Sequence, residues 1–277
     1  MTLTHKNAQI GDINLHYVED GEGPLVVLLH GFPESWYSWR HQIPALVAAG
    51  FRVIAPDLRG YNDSSKPANV DAYRITEIVK DIAGLIVQSG DSPCRVVAHD
   101  WGGVAAWFHA MMHPEQILRL AVLNSPHPVP LAREVRRSMQ QKMRLSYQLI
   151  ARMRFLPNLF MRFGGGMLLR TGGRFTPEEI ATYRAQWRKP GAIDGMLNWY
   201  RALAKSRSEL RQLVRPIEAP VLIIWGDHDP VFTLPTIENF SDYVPNLRVE
   251  RISTAGHFVQ TDEPARVNEL LIDFLSS

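Results

Sequence analysis

The sequence predicts an α/β fold, in which a mostly parallel sheet carries helices on both faces and a helical cap is inserted. Short β-branched runs alternate with helical patterns at both ends of the chain, which favours right-handed crossovers between parallel strands. The near-continuous apolar runs at 25–29 and 221–224 are typical of strands covered on both faces. Between about 130 and 211 the strand signal disappears, so this segment is predicted to form the cap.

The order of the elements follows from the same patterns. Strands are predicted at 13–19, 25–30, 52–56, 95–99, 119–123, 221–225 and 247–252. Helices are predicted at 39–49, 75–89, 101–112 and 264–275, and Pro114 follows the third of these as a helix stop. The predicted core therefore comprises residues 1–129 and 212–277, and the predicted cap residues 130–211.

The cap segment carries its own helix signals. Thr176, Pro177 and Glu179 match a helix start with an N-cap, a proline at the first position and a capping glutamate. Pro190 indicates the start of another helix, and Tyr183 is expected to pack against the protein or face solvent. Six methionines are expected first of all to form the apolar core of the cap: Met139, Met143, Met153, Met161, Met167 and Met196.

Length and composition exclude several classes of protein. A chain of 277 residues with 45% hydrophobic residues can bury a large core, and a net charge of +2 gives no reason to expect nucleic acid. The sequence has no apolar run of 18 residues and no apolar signal core in 1–12, so we expect a cytoplasmic protein without stable membrane insertion. Its one cysteine, Cys94, excludes an internal disulfide and argues against a structural zinc site.

Charge is distributed unevenly along the chain. Residues 130–211 contain 17 Lys and Arg but 5 Asp and Glu, whereas the rest contains 13 basic and 23 acidic residues. A basic cap docked on an acidic core explains this difference. A basic entrance that attracts anionic substrates or membrane surfaces is the alternative.

Asp100 is the most informative residue of the sequence. It follows the apolar strand 95–99 and precedes a helical pattern, in the place where a nucleophile elbow normally carries serine. Ala98 and Gly102 provide the small flanking residues that the tight turn needs. An aspartate is anionic at neutral pH without a base, and its attack on a saturated carbon gives an ester that water must later cleave.

Partners for Asp100 are found near the C-terminus. In hydrolases with this elbow the chain order is nucleophile, acid, histidine. His257 lies in a Gly-marked loop between the last strand and the last helix. Asp229 follows the strand 221–225 and is the preferred acid, with Asp227 as the weaker candidate. The other place for this acid, after the preceding strand, holds Asn124, which is not acidic.

An oxyanion hole is predicted from two backbone N–H groups. One belongs to Trp101, directly after Asp100. The other belongs to Phe32, in the loop after the strand 25–30.

With these residues in place, the chain resembles an epoxide hydrolase of the α/β-hydrolase superfamily. Four segments carry the resemblance in the same order: His30-Gly31-Phe32-Pro33, Asp57-Leu58-Arg59-Gly60-Tyr61, His99-Asp100-Trp101-Gly102-Gly103 and Gly256-His257. Two cap tyrosines match as well, Tyr147 in Tyr147-Gln148-Leu149 and Tyr200 in Asn198-Trp199-Tyr200-Arg201. The resemblance spans nearly the whole chain.

The resemblance implies an α/β-hydrolase fold and a two-step reaction. Asp100 attacks an epoxide carbon while Tyr147 and Tyr200 hold the oxygen and supply a proton, and His257 then activates water to release a vicinal diol. It also implies that His30, Gly31 and Pro33 shape the loop, with a cis bond before Pro33. No cofactor or metal is required, and the expected partner is a small hydrophobic epoxide, bound by a monomer or homodimer.

Two other functions remain open at this point. A dehalogenase uses the same aspartate and ester, and differs in its halide leaving group. Haloalkane dehalogenases usually carry Asn, Glu, Gln or Trp at the Phe32 position, and fluoroacetate dehalogenases carry arginines where this chain has Trp101 and Val104. A non-catalytic receptor on the same scaffold usually lacks a triad member, and none is missing here.

Overall fold

A computed structural model describes residues 3–277 of the protein, with the backbone alone for residue 207. Eight strands form one sheet in the order β1-β2-β4-β3-β5-β6-β7-β8. Their bounds are β1 Thr4–Ile10, β2 Ile13–Asp20, β3 Leu25–Leu29, β4 Arg52–Pro56, β5 Cys94–His99, β6 Ile117–Leu123, β7 Val221–Gly226 and β8 Leu247–Ile252. β2 pairs antiparallel with both of its neighbours, β1 and β4. All the other neighbouring strands in the sheet, from β4 and β3 through to β7 and β8, pair in parallel.

Twelve α-helices connect and cover the strands of the described chain. Their bounds are α1 Gln42–Ala48, α2 Ile75–Ser89, α3 Asp100–Met112, α4 Pro128–Arg137, α5 Met139–Arg144, α6 Tyr147–Ala151, α7 Leu156–Phe163, α8 Gly166–Gly172, α9 Pro177–Trp187, α10 Ala192–Gln212, α11 Val259–Asp262 and α12 Pro264–Ser276. None of those described combines the length and apolar character that a bilayer-crossing helix requires.

The sheet separates two apolar layers. On one face α1 and α12 pack through residues such as Ile43, Leu46 and Leu271, all 1% exposed or less. On the other face α2 and α3 pack through residues such as Ile78 and Trp107. Because both faces are covered, the central strands are apolar throughout, and the predicted α/β architecture is confirmed.

All elements between β6 and β7 are helical, from α4 to α10. This segment is fixed to loops at the carboxyl ends of the strands by two indole hydrogen bonds. The Nε1 of Trp187 donates to the Pro33 carbonyl at 2.7 Å, and that of Trp199 donates to the Arg59 carbonyl at 2.9 Å. The helical segment therefore lies over the edge of the sheet where parallel strands present their functional loops.

Predicted and observed elements agree closely in the core. Each of the seven predicted strands lies within two residues of an observed strand, and the capping box at Thr176 and Glu179 is present. The sequence gives no apolar signal for β1, because this edge strand is mostly exposed. The helix expected at Pro190 begins at Ala192, and α1 begins three residues later than predicted.

The prediction that six methionines form a cap core is wrong for four of them. Met161 and Met196 are buried, but the other four are 47–68% exposed: Met139, Met143, Met153 and Met167. Their helices are short and contact the rest of the protein along one side only, so an apolar residue there does not imply burial.

Gly102 offers a test of the close packing of α3 against β3. A Cβ atom at this position lies 2.4 Å from the Leu29 carbonyl oxygen and 2.5 Å from that of His30, both in the backbone. We expect Gly102→Ala to lower the free energy of unfolding by about 1–3 kcal/mol, as overpacking does. Urea unfolding measures this effect as a lower midpoint.

Gly166→Ala is the matched control for that measurement. There the added Cβ meets Ile180 Cγ2 at 3.1 Å, and this side chain can move. An unchanged midpoint for Gly102→Ala would contradict the tight helix–strand contact.

Candidate active site

Asp100 lies at the turn between β5 and α3, with a backbone φ of +47°. This left-handed conformation is uncommon for residues with a side chain and marks a strained turn. Gly31 permits the turn, because a Cβ there lies 2.5 Å from the Asp100 Cβ. The elbow therefore holds the carboxylate in a fixed place, 9% exposed.

Two groups hold Asp100 by hydrogen bonds. The Phe32 N–H donates to Oδ1 at 2.8 Å, and the Ser125 hydroxyl donates to the Asp100 backbone carbonyl at 2.7 Å. Trp101 is the next residue and belongs to the first turn of α3. The two predicted oxyanion donors thus belong to segments that meet at the Asp100 carboxylate.

His257 connects Asp100 to a second carboxylate. Its Nε2 lies 3.5 Å from Asp100 Oδ2, and its Nδ1 lies 2.9 Å from Asp229 Oδ2. Asp227, the weaker candidate from the sequence, forms an ion pair with Arg251 at 2.8 Å on the surface. Of the two aspartates, Asp229 is the one that contacts the imidazole.

The Asp229 carboxylate is 2% exposed and has several donors. Its Oδ1 accepts hydrogen bonds from the N–H groups of Val231 and Phe232, at 2.6 and 3.0 Å. Its Oδ2 accepts one from the Asn124 side chain at 2.7 Å. Asn124 is not an acid itself, and the structure shows that it is a hydrogen-bond donor to the acid that follows the next strand.

The three charges determine one another's protonation. Burial disfavours the charged form of His257, but the charges and hydrogen bonds of Asp229 and Asp100 raise its pKa well above the usual range. Burial also works against the charged form of Asp100, yet the contact and charge of His257 lower the pKa of this carboxyl. These interactions therefore favour an ionised Asp100 beside a protonated His257.

Tyr147 and Tyr200 are brought together from α6 and α10, with ring centroids 6.0 Å apart. Tyr200 is 3% exposed and contacts the rings of Trp101 and Phe32 edge to face, at 4.9 and 5.1 Å. Burial raises the pKa of Tyr200, and the charges of Tyr147 and Asp100 raise it further. Tyr147 is 37% exposed as a residue, but its hydroxyl is enclosed by protein; this burial and the charge of Asp100 raise its pKa as well.

Tyr183 is excluded from this group by its position. It is fully buried on α9 and packs edge to face against Tyr37 and Phe175. Among the side chains that the structure describes, none forms a hydrogen bond with its hydroxyl. Tyr183 is therefore a packing residue.

Behind the elbow lies a buried pair that the sequence did not reveal. The Nδ1 of His99 contacts Glu34 Oε2 at 2.8 Å, and its Nε2 donates to the His257 backbone carbonyl at 2.9 Å. Burial works against ionisation of Glu34, but the charge of His99 lowers the pKa of this carboxyl. The acidic partner of His99 is 65 residues away and carries no motif signal.

The loop after β3 has the predicted shape. The bond between Phe32 and Pro33 is cis. His30 is fully buried; its Nδ1 contacts the Gly31 carbonyl at 2.9 Å, and its Nε2 accepts from the Leu58 N–H at 3.0 Å. Burial lowers the pKa of His30, so the ring is neutral and connects two loops.

An apolar pocket of about 840 Å³ lies between α3, α4 and other helices of the segment between β6 and β7. Its lining includes Val104 on α3, Leu131 on α4 and Leu203 on α10. Neither the triad nor Tyr147 or Tyr200 is among its lining residues.

One group of side chains in residues 3–277 lies close enough together to hold a metal ion: His16, Asp57 and Asp63. These side chains have protein partners. His16 Nδ1 contacts Asp57 Oδ2 at 2.6 Å, and Asp63 pairs with Lys189 at 2.6 Å. Contacts within the protein therefore explain why these three side chains lie close together.

Comparison with known proteins agrees with this geometry. The family model described as the alpha/beta hydrolase fold matches residues 24–264. The AB hydrolase superfamily protein YfhM of Bacillus subtilis is 37% identical over 96% of this chain and 95% of its own. Epoxide hydrolase 4 of Mus musculus is 34% identical over 98% of this chain and 79% of its own.

Solved structures of epoxide hydrolases also superimpose on this chain. The epoxide hydrolase of Bacillus megaterium, in complex with an inhibitor, superimposes with a TM-score of 0.90 at 34% identity, covering 98% of this chain and all of that one. Epoxide hydrolase A of Mycobacterium thermoresistibile superimposes with a TM-score of 0.88 at 31% identity, covering 100% and 99% of the two chains. The chain therefore belongs to the α/β-hydrolase family and, within it, to the epoxide hydrolases.

Proposed function

We propose that this protein hydrolyses epoxides to vicinal diols through a covalent ester at Asp100. The observation that carries the proposal is the arrangement of a buried carboxylate next to His257 with two cap phenols, Tyr147 and Tyr200, near it. The relatives include epoxide hydrolases, which supports the reaction class. The aromatic rings that contact Tyr200 favour a hydrophobic epoxide.

In the first step, Asp100 attacks an epoxide carbon. A C–O bond forms to the carboxylate while the ring C–O bond breaks, and its electron pair stays on the ring oxygen. An alkoxide is a poor leaving group, so a phenol of Tyr147 or Tyr200 donates a proton to it as the bond breaks. The result is an ester of Asp100, a free hydroxyl on the substrate and one tyrosinate.

In the second step, water cleaves the ester. Neutral His257 takes a proton from water, whose oxygen attacks the carbonyl carbon of Asp100. The N–H groups of Phe32 and Trp101 are the donors proposed for the resulting oxyanion. Collapse of this intermediate releases the diol as the imidazolium returns its proton to the alcohol oxygen. The resulting carboxylic acid of Asp100 then passes its proton to the tyrosinate, which restores the carboxylate and the phenol. Asp229 stabilises the imidazolium throughout.

The charge of Asp100 couples the two steps. While it is ionised, it keeps both phenols protonated and His257 charged, which suits ring opening. Ester formation removes that charge, so the tyrosinate is better tolerated and His257 loses one of the interactions that raise its pKa. The imidazole can then lose its proton and act as a base. Formation of the ester at Asp100 thus favours the protonation state of His257 that hydrolyses it.

The helical segment is proposed to act as a cap, with residues 130–211 on a core of 1–129 and 212–277. It contributes both phenols, whereas the triad comes from the core. Arg144 on α5 donates to the backbone carbonyls of Asp229 and Phe232, at 2.7 and 2.9 Å, and so connects the cap to the acid loop.

The dehalogenase alternative is not favoured. A halide ion leaves without a proton, so a pair of phenols that can supply one suits an alkoxide leaving group better. The positions that hold a substrate carboxylate in fluoroacetate dehalogenases are Trp101 and Val104 here.

The ester intermediate can be trapped. We expect Asp100→Ala to lower diol formation by at least about 10³-fold, because the nucleophile is lost. His257→Gln should open the ring but stop at the ester, and mass spectrometry of the intact variant should show the mass of one added epoxide. Absence of this adduct contradicts the two-step scheme.

A matched pair of variants tests whether Asp229 or Asp227 is the acid that supports His257. Asp229→Asn removes the charge that supports His257 and should slow ester hydrolysis. Asp227→Asn breaks a surface ion pair and should leave turnover near that of the wild type. If turnover falls in Asp227→Asn but not in Asp229→Asn, the acid is Asp227.

The two phenols can be tested together. Tyr147→Phe with Tyr200→Phe should lower the rate of ring opening by about 10²–10⁴-fold, the range for loss of general acid catalysis. Tyr183→Phe is the control, because its hydroxyl is buried away from the site. Stopped-flow fluorescence of the buried tryptophans reports the step; normal ring opening in the double variant means that the proton comes from elsewhere.

The pH dependence should differ between the two steps. Ring opening needs ionised Asp100, whose pKa is lowered, so it persists as the pH falls. Ester hydrolysis needs neutral His257; in the ester the charge of Asp100 is gone, but that of Asp229 still raises the pKa of the imidazole, so this rate falls first on acidification. Single-turnover assays at acidic pH should therefore show ester accumulation. If both steps decline together, His257 is not the base.

A further inference from the structure

Helices α5 to α8 of the cap expose a broad apolar surface, of which the proposed reaction uses Tyr147 alone. In the described part of the chain sixteen large hydrophobic residues are exposed, and thirteen of them lie between residues 139 and 168. We call the exposed side of residues 139–172 the outer cap face. Scattered apolar residues are normal on protein surfaces, but such concentration marks an interaction site.

Helix α7 shows how the outer cap face is built. Phe155, just before the helix, Leu159 and Phe163 are spaced four residues apart, and they are 82, 59 and 70% exposed. On the other side of the helix Pro157 and Met161 are buried. Residues four apart lie on one side of a helix, so α7 presents an apolar stripe to solvent as well as one to the protein.

The charge of this region is entirely of one sign. Residues 135–177 contain nine Lys and Arg and no Asp or Glu. Lys142, Arg154, Arg162 and Arg170 are exposed, and within residues 3–277 none of these four forms an ion pair with a carboxylate. In the described structure these four positive charges are therefore not neutralised by acidic side chains.

We propose that the outer cap face docks on the surface of a bilayer that contains anionic lipids. Exposed phenylalanine and leucine side chains enter the boundary between headgroups and acyl chains, and the surrounding basic residues attract the negative headgroups. The attachment is peripheral, because the helices of the face have 5–8 residues and lie along the surface. This proposal does not rest on the proposed reaction.

Charge distinguishes a lipid surface from a second copy of the chain. A symmetric dimer places the same patch of each copy against the other, so Lys142, Arg154, Arg162 and Arg170 of one copy would face the same four residues of the other. Anionic lipids neutralise the face instead. A nucleic acid also carries negative charge, but it offers no apolar phase for Phe155, Leu159 and Phe163.

Vesicle co-sedimentation tests the proposal with the full chain and without any epoxide, so failure of the proposed reaction does not affect the result. We expect the protein to bind vesicles of phosphatidylcholine mixed with phosphatidylglycerol, and to be released by high salt, which screens the charges. The triple variant Phe155→Ser, Leu159→Ser, Phe163→Ser should bind at least about tenfold more weakly, because binding scales with buried apolar area.

A matched control removes equally exposed apolar residues elsewhere. Val87→Ser, Leu118→Ser, Val249→Ser changes positions that are 63, 41 and 39% exposed and lie outside the cap. It should bind vesicles as the wild type does. Circular dichroism and thermal unfolding confirm that both triple variants are folded.

A second variant tests the charges separately. Arg154→Gln, Arg162→Gln, Arg170→Gln should weaken binding to the mixed vesicles while the apolar stripe is intact. The proposal is overturned if the wild type does not bind the mixed vesicles, if it binds pure phosphatidylcholine equally well, or if the serine variant binds like its control. It is also overturned if sedimentation shows a dimer that the serine variant loses and no vesicle binding.

Discussion

A protonated imidazole between two buried carboxylates organises this protein. Charges removed from water are stable only when they are paired and hydrogen-bonded, so His257, Asp100 and Asp229 require one another. The surrounding structure supplies the remaining partners: backbone N–H groups of two loops, the Asn124 amide and a strained turn. Each of these comes from the carboxyl end of a different strand. The parallel sheet is what brings them to one place.

Much of the fold was readable from the sequence, because fully buried strands are apolar at every position. The triad was readable because its residues stand beside turns marked by glycine, as at Gly256. Partners that are distant in sequence were not. Glu34 meets His99 across 65 residues, and Asn124 meets Asp229 across 105. No local pattern encodes such a pair, since each member looks like an ordinary loop or strand-end residue until the chain folds.

The cap shows where periodicity stops being informative. An apolar stripe predicts that a helix has an apolar side, but it does not say what covers that side. In α10 the apolar positions face the core, and Trp199 and Tyr200 are buried. In α7 apolar residues occur on both sides, and only one side meets protein. Six methionines of similar sequence context therefore divided into two buried and four exposed.

The insertion of the cap between β6 and β7 also sets the order in which the chain matures on the ribosome. Leu123 pairs with Ile224, so neighbouring strands are about 100 residues apart in sequence. At about 5–20 residues per second, translation leaves the apolar edge of β6 without its neighbour for on the order of 5–20 s. An open strand edge is a template for aggregation, so this interval is when the nascent protein most needs a chaperone. Asp229 and His257 emerge later still, so their contacts with each other and with Asp100 form only after the whole cap has been synthesised.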